Sequence, residues 1–364
     1  MDYETIIDEQ LNSMDISGLE DALSDAAGSG GIFESMTVSE IINRLINGEE
    51  LFSSDEIIDN LLNLFILEVK SSVILGCEII AICIIIGLLT NFSNTFGNKT
   101  VSSLGTMVCS VIITALCIGD FYQSYQYCSD AMNTMTSSME ILLPIMIPLL
   151  ISMGGISSGS IMDPVMTGAV TGFNAIIQHL ILPLVFLSAV FILINSITEK
   201  AYVKKLAAFL RKASIFITGL LITIFTGITA IQGIVTKSAD GILINTAKFS
   251  IDNFIPIVGG FAADSLDMVI SCLGLIKNAI GLVGILIILS VMIVPIVKIF
   301  SVAVIYKLIA IAVEPVAAKN ISDSLNEMGS AAITMTVVLA TGAMMFLFFI
   351  TIIMGMGGGG TWTS

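Results

Sequence analysis

A chain of 364 residues and 38.6 kDa with 55% hydrophobic and only 12% charged residues has too little polar surface to cover a soluble globule, in which roughly a quarter of residues are charged. A mean hydropathy of +1.00 therefore points to a polytopic membrane protein and excludes an ordinary soluble enzyme. The net charge of -15 is concentrated, because residues 1–70 hold 16 Asp and Glu against Arg44 and Lys70 while the rest of the chain is nearly balanced. Such an acidic chain is not expected to bind nucleic acid, which demands clustered Lys and Arg.

Residues 1–70 read as an acidic head of short amphipathic helices. TVSE at Thr37–Glu40 is a capping-box pattern ahead of IINRLI, and SSDE at Ser53–Glu56 repeats it. The GSGG run at 28–31 reads as a hinge. No turn signal separates Ser54 from Leu89, so one helix roughly 50 Å long is expected to join the head to the first span. The start MDYETIIDEQ lacks the basic, then apolar pattern of a signal peptide. Translocation of the head then needs either the first span or a leader preceding this sequence.

Segment 71–90 carries only Glu78 as a charge and is long enough to cross a hydrocarbon core of about 30 Å. Segment 101–119 is a second span, and Asp120 to Glu140 reads as a polar, acidic loop. Residues 141–198 hold two or three crossings broken at GGISSGSIMDP and near Leu182–Pro183. Segments 213–235, 268–294, 296–313 and 330–354 follow. The expected fold is all-α, with six to eight transmembrane or re-entrant helices. The six cysteines form no disulfide framework; five read as small apolar residues within spans and Cys128 as a loop residue.

Orientation follows from EKAYVKKLAAFLRK, where Lys200, Lys204, Lys205, Arg211 and Lys212 place one loop in the cytoplasm. The acidic head belongs on the opposite side. Two prolines 39 apart, Pro144 and Pro183, are echoed by Pro256 and Pro295, also 39 apart. This suggests two repeats of roughly 112 residues, and chance spacing is the rival reading. The expected units are the head at 1–70, two spans with the acidic loop at 71–139, repeats at 140–251 and 252–356, and a flexible tail at 357–364. Gly155/Gly159 and Gly168/Gly172 carry the four-residue spacing of close helix contacts.

Ionisable residues inside spans mark pathways or helix pairing. Candidates are Glu78, Asp163 with Pro164, Glu314 with Pro315, and the polar entry formed by Asp264, Asp267, Lys277 and Asn278. The plain alternatives are interfacial positions and helix boundaries. Lys298 and Lys307 read as snorkelled residues at membrane edges, and their nine-residue separation points them to opposite faces of one helix. Catalysis finds no support. His179 is the single histidine, and no phosphate loop, HExxH or GxSxG motif is present. No cofactor is expected.

The run TAKFSIDNFIPIVGGFAADSLDMVISCLGLIKNAIGLVGILII resembles the stage III sporulation protein AE family of endospore-forming Firmicutes, as do SMEILLPIMIPLLISMGGISSGSIMDPV and QHLILPLVFLSAVFILINSITE. The resemblance covers roughly residues 35–355. It implies a multi-pass protein of the mother cell in the outer forespore membrane, with its head in the intermembrane space. It also implies membership of a channel or secretion-like complex that includes a secretion-type ATPase and ring-forming membrane proteins. It carries no catalytic residues. A conducting core subunit and a non-conducting scaffold are both compatible with it, as are a monomer and a closed homo-oligomeric ring.

Overall fold

The computed structural model describes residues 17–28, 37–46, 54–95, 99–197, 203–254, 259–315 and 319–356. They form α1 (Ser17–Gly28), α2 (Val38–Ile46), α3 (Ser54–Thr95), α4 (Lys99–Ser152), α5 (Ile156–Ile176), a π-helical turn (Ile177–Ile181), α6 (Leu182–Ile197), α7 (Lys204–Phe254), α8 (Gly259–Val313) and α9 (Lys319–Gly355). No strand occurs among the described residues. The all-α, membrane-type expectation is therefore met.

Among the described residues, five helical stretches are long and apolar enough to cross a membrane: Met107–Ser152, Pro164–Asn195, Lys204–Ala230, Met268–Val313 and Lys319–Gly355. The 46-residue stretches of α4 and α8 measure about 70 Å at 1.5 Å per residue. That is twice the hydrocarbon core, so part of each tilts or projects beyond the lipid.

α8 and α9 form an antiparallel hairpin with the most extensive contact in the molecule, and α4 packs along both. Their seam is rich in methionine: Met132, Met135, Met139, Met146, Met328 and Met335 are fully buried. Unbranched thioethers fill the irregular gaps between such helices. Small residues bring the backbones close. A Cβ on Gly284 would lie 2.6 Å from Leu142 Cδ1, and one on Gly342 would lie 2.6 Å from Met132 Sδ.

The capping box at Thr37 is present in both directions. The Glu40 N–H donates to Thr37 Oγ1 at 3.2 Å and the Thr37 N–H donates to Glu40 Oε2 at 3.1 Å. α1 and α2 bury Leu19, Leu23, Val38, Ile41 and Ile42 and pack on α8, with α1 also touching α4. These helices thus sit on the bundle. Of the hinge expected at 28–31, Gly28 ends α1, and residues 29–31 lie outside the described residues, as do Ser53 and the tail at 357–364. The continuous helix expected from Ser54 is observed and runs to Thr95.

Residues 120–140, read above as a loop, are helical within α4. Phe121, Ser124, Cys128, Met132, Met135 and Met139 recur every three or four residues and are buried, which is the stripe of a packed amphipathic helix. Gln123, Gln126, Asp130, Asn133 and Ser137 between them face outward, whereas Thr136 and Ser138 are buried. Cys128 is consequently a core residue of this helix. Pro144 and Pro148 lie inside α4 and Pro295 inside α8, so neither Pro144 nor Pro295 ends a helix. Neighbouring helices tolerate such breaks in backbone pairing. α4 runs through residues 139–140 and α7 through 251–252 without interruption.

The break expected at GGISSGSIMDP is real. Gly154 adopts φ 90°, a left-handed conformation that favours glycine. Its N–H and that of Gly155 donate to the carbonyls of Ile151 (2.9 Å) and Leu150 (3.0 Å), closing the end of α4. Gly155 and Gly159 press on Leu150 and Ile151, whereas Gly168 and Gly172 face open space.

Candidate functional site

The residues singled out from sequence do not form one site. Glu78 is exposed on α3, Glu314 and Pro315 form an exposed turn after α8, Pro164 is exposed on α5 and Asn278 is exposed on α8. Asp163 lies on α5 and Asp264 and Asp267 on α8, with side chains outside the described residues. Pro256 also lies outside them. Lys277 alone enters the core, 1% exposed, where its ammonium donates to the carbonyl of Met356 at the end of α9. A cation on the last carbonyls of a helix satisfies groups the helix leaves unpaired.

Lys298 and Lys307 do point to opposite faces of α8, but both are anchored by specific partners instead of snorkelling freely. Lys298 Nζ is 3.5 Å from Glu68 Oε1 and 4.7 Å from the centre of the Tyr127 ring, tying α8 to α3 and α4. Lys307 Nζ donates to Asn326 Oδ1 at 3.4 Å and Ser330 Oγ at 3.2 Å on α9.

Sequence reasoning missed three further polar contacts, because each joins helices far apart in the chain. The first is between α8 and α4. The hydroxyl of Tyr306, fully buried, donates to Asp120 Oδ2 at 2.8 Å. The second is between α7 and α9, where Arg211 Nη1 lies 2.5 Å from Glu327 Oε2 and Lys204 reaches Asp323 at 4.0 Å. These two pairs border a cleft of about 70 Å³ lined by Asn195, Lys204, Asn320, Asp323, Ser324 and Glu327 among others. It is well below the few hundred Å³ of a small-molecule site.

The third contact is an amide trio. Gln178 Nε2 donates to Asn133 Oδ1 at 2.6 Å and Asn174 Oδ1 at 2.8 Å. Gln178 stands in the π-helical turn, where the Leu182 N–H reaches back five residues to the Ile177 carbonyl. Pro183 supplies the cause, since it has no N–H to give to the His179 carbonyl and the helix widens just before it. His179 is exposed beside the trio.

Arg211→Ala is expected to lower stability by about 1 kcal/mol, a modest loss because both partners of the ion pair are partly exposed. Thermal unfolding in detergent would show a midpoint lower by a few degrees. Adding Glu327→Gln should restore part of it, and an unchanged Arg211→Ala midpoint would mean the pair does not hold α7 to α9.

Among the described residues no three His, Cys, Asp or Glu side chains converge as a metal site. A bundle of long apolar helices, cross-linked by polar contacts between them, defines a polytopic α-helical membrane protein. The chain belongs to the stage III sporulation protein AE family, whose model matches residues 36–357. It is 32% identical over 312 residues to the stage III sporulation protein AE of Bacillus subtilis (strain 168), covering 86% of this chain and 78% of that protein. The role is accordingly in sporulation. No solved structure matches.

Proposed function

We propose that the chain is the membrane core subunit of the channel or secretion-like complex joining mother cell and forespore, and that the passage runs between subunits. The observation that carries this reading is the bundle's exterior, apolar on most sides but polar along one face of α4. The interior argues against a passage through a single protomer. Fully buried Met132, Met139, Ile280, Ile287, Met335 and Leu339 fill the space between α4, α8 and α9 at the close packing of protein cores. Family membership supplies the sporulation setting.

In this reading the lysine-rich start of α7 faces the mother-cell cytoplasm and the acidic N-terminal segment lies in the intermembrane space, with the outer forespore membrane as the site. The partners are a secretion-type ATPase, ring-forming proteins and further copies of this chain. The closed interior also favours a second reading, a non-conducting scaffold that assembles other pore proteins. Mass measurement of the detergent-extracted protein, followed by solute flux in vesicles, separates the two. A closed oligomer with flux supports the conduit, and a monomer without flux supports the scaffold.

A further inference from the structure

Depth along the bundle can be read from α9, which touches helices on several sides. Near its start Glu327 pairs with Arg211 of α7, and Ser330 accepts from Lys307, the neighbour of the Tyr306 that holds Asp120 of α4. Midway, Gly342 lies against Met132 of α4. Farther on, Phe349 meets Phe225 of α7 edge-on at 4.6 Å, and Ile350 closes with Leu142 of α4 over Gly284. From Glu327 to Phe349 α9 advances about 33 Å, the thickness of a hydrocarbon core. Between the same contacts α7 rises about 21 Å from Arg211 to Phe225, about two thirds of that interval, and α4 runs from Asp120 to just short of Leu142.

The two outer faces at this shared depth differ in chemistry. α7 presents Ile215, Phe216, Leu220, Ile222 and Ile224, and its span is the least buried of the five, at 22%. That is a lipid-facing surface, bounded at its cytoplasmic end by Lys204, Lys205 and Lys212, all exposed. α6 and α9 likewise show Leu187, Val337, Met344 and Phe348. α4 instead exposes Gln123, Gln126, Asp130, Asn133, Ser137 and Glu140. The same helix face is apolar before this stretch, at Met107, Val108, Val111 and Ile112, and has Pro144, Pro148 and Ile151 after it.

Asp130 lies at mid-depth, where a carboxylate facing lipid costs about 3 kcal/mol, and Glu140 lies at the far edge of the interval beside Ile141, which Gly18 of α1 approaches; neither has an ion pair among the described residues. The amide trio adds an independent feature, since the π turn sets Gln178 of the neighbouring segment onto Asn133 within this face. An unpaired charge at membrane depth faces the protein interior or a water-filled cavity, and because Asp130 is on the outer face of α4 it is water that it meets.

We propose that the α4 face from Gln123 to Glu140 is the water-contacting wall of the passage, and that its carboxylates admit neutral and cationic solutes while repelling anions. This rests on the conduit reading above and deepens it by naming the wall and the solute class.

Single cysteines placed at Asn133 and Ser137, in a full-length chain lacking the six native cysteines, test the wall within sporulating-cell membranes opened on both aqueous sides. Cysteines at Phe216 and Leu220 mark the lipid-facing surface at the same depth. A charged, membrane-impermeant thiol reagent is expected to modify the α4 positions at least about tenfold faster, because the reactive thiolate forms in water. Equal sluggishness at all four positions would overturn the wall and leave α4 covered by a partner or by lipid. Equal speed at all four would overturn the depth assignment. Vesicles then test selectivity with a small anionic and a small neutral dye. Asp130→Asn combined with Glu140→Gln is expected to raise anion passage several-fold over the parent without changing neutral passage. Unchanged anion exclusion would sink the charge assignment. Fast labelling with no flux from either chain would sink the conduit reading alone.

Discussion

Gly329→Leu is expected to be the most damaging single substitution in the bundle. Gly329 sits where α9 crosses α8. A Cβ there would lie 2.8 Å from Lys307 Cγ and 3.0 Å from the carbonyl oxygen of Ala303. The carbonyl belongs to a packed helix and cannot swing aside, so relief requires α8 and α9 to separate along their shared seam. Overpacking of this kind costs about 3 kcal/mol, and here it also loosens the Lys307 contacts to Asn326 and Ser330. Thermal unfolding in detergent should show a large drop in midpoint with reduced accumulation. Gly119→Leu is the matched control, since nothing lies within 4 Å of a Cβ at Gly119. Equal loss from both substitutions would refute the seam as the cause.

Tyr306→Phe should rank next, at about 2 kcal/mol. The change keeps the ring in its fully buried position and removes only the hydroxyl. Asp120 Oδ2 loses its 2.8 Å donor and the Cys117 carbonyl loses a 3.5 Å contact. The penalty is that of a partly buried carboxylate that loses its donor from the protein interior. Asp120→Asn retains an oxygen able to accept the same hydrogen bond and should cost less. A double-mutant cycle on the unfolding midpoint reads the coupling directly. Additive single and double effects would show that the two groups do not act together.

Much of the architecture was legible because it follows from local pattern. Thr37 and Glu40 show the capping box in four residues. The uninterrupted run from Ser54 announces α3 because nothing in it can end a helix. The nine-residue spacing of Lys298 and Lys307 fixes their opposite directions through helical geometry alone. The helix over 120–140 was missed because its mean composition is polar. Its signal lies in the three- and four-residue spacing of Phe121, Ser124, Cys128 and Met132, which composition averages away. Asp120 with Tyr306 and Arg211 with Glu327 are separated by 186 and 116 residues. Pairing at that range is created by the crossing of helices and has no signature in either segment. The widened turn at Ile177–Ile181 did have one, in the proline that follows it.

α3 carries a mechanical consequence. Its 42 residues form a rod about 63 Å long, held about a third of the way along by the Glu68–Lys298 ion pair and near its middle where Gly76 rests on Ile305 and Ile309. No proline or glycine pair interrupts it to act as a joint. Displacement of either end is therefore carried along the rod with little lost to bending, and reaches the rest of the bundle through the side of α3 that packs on α8 and α4.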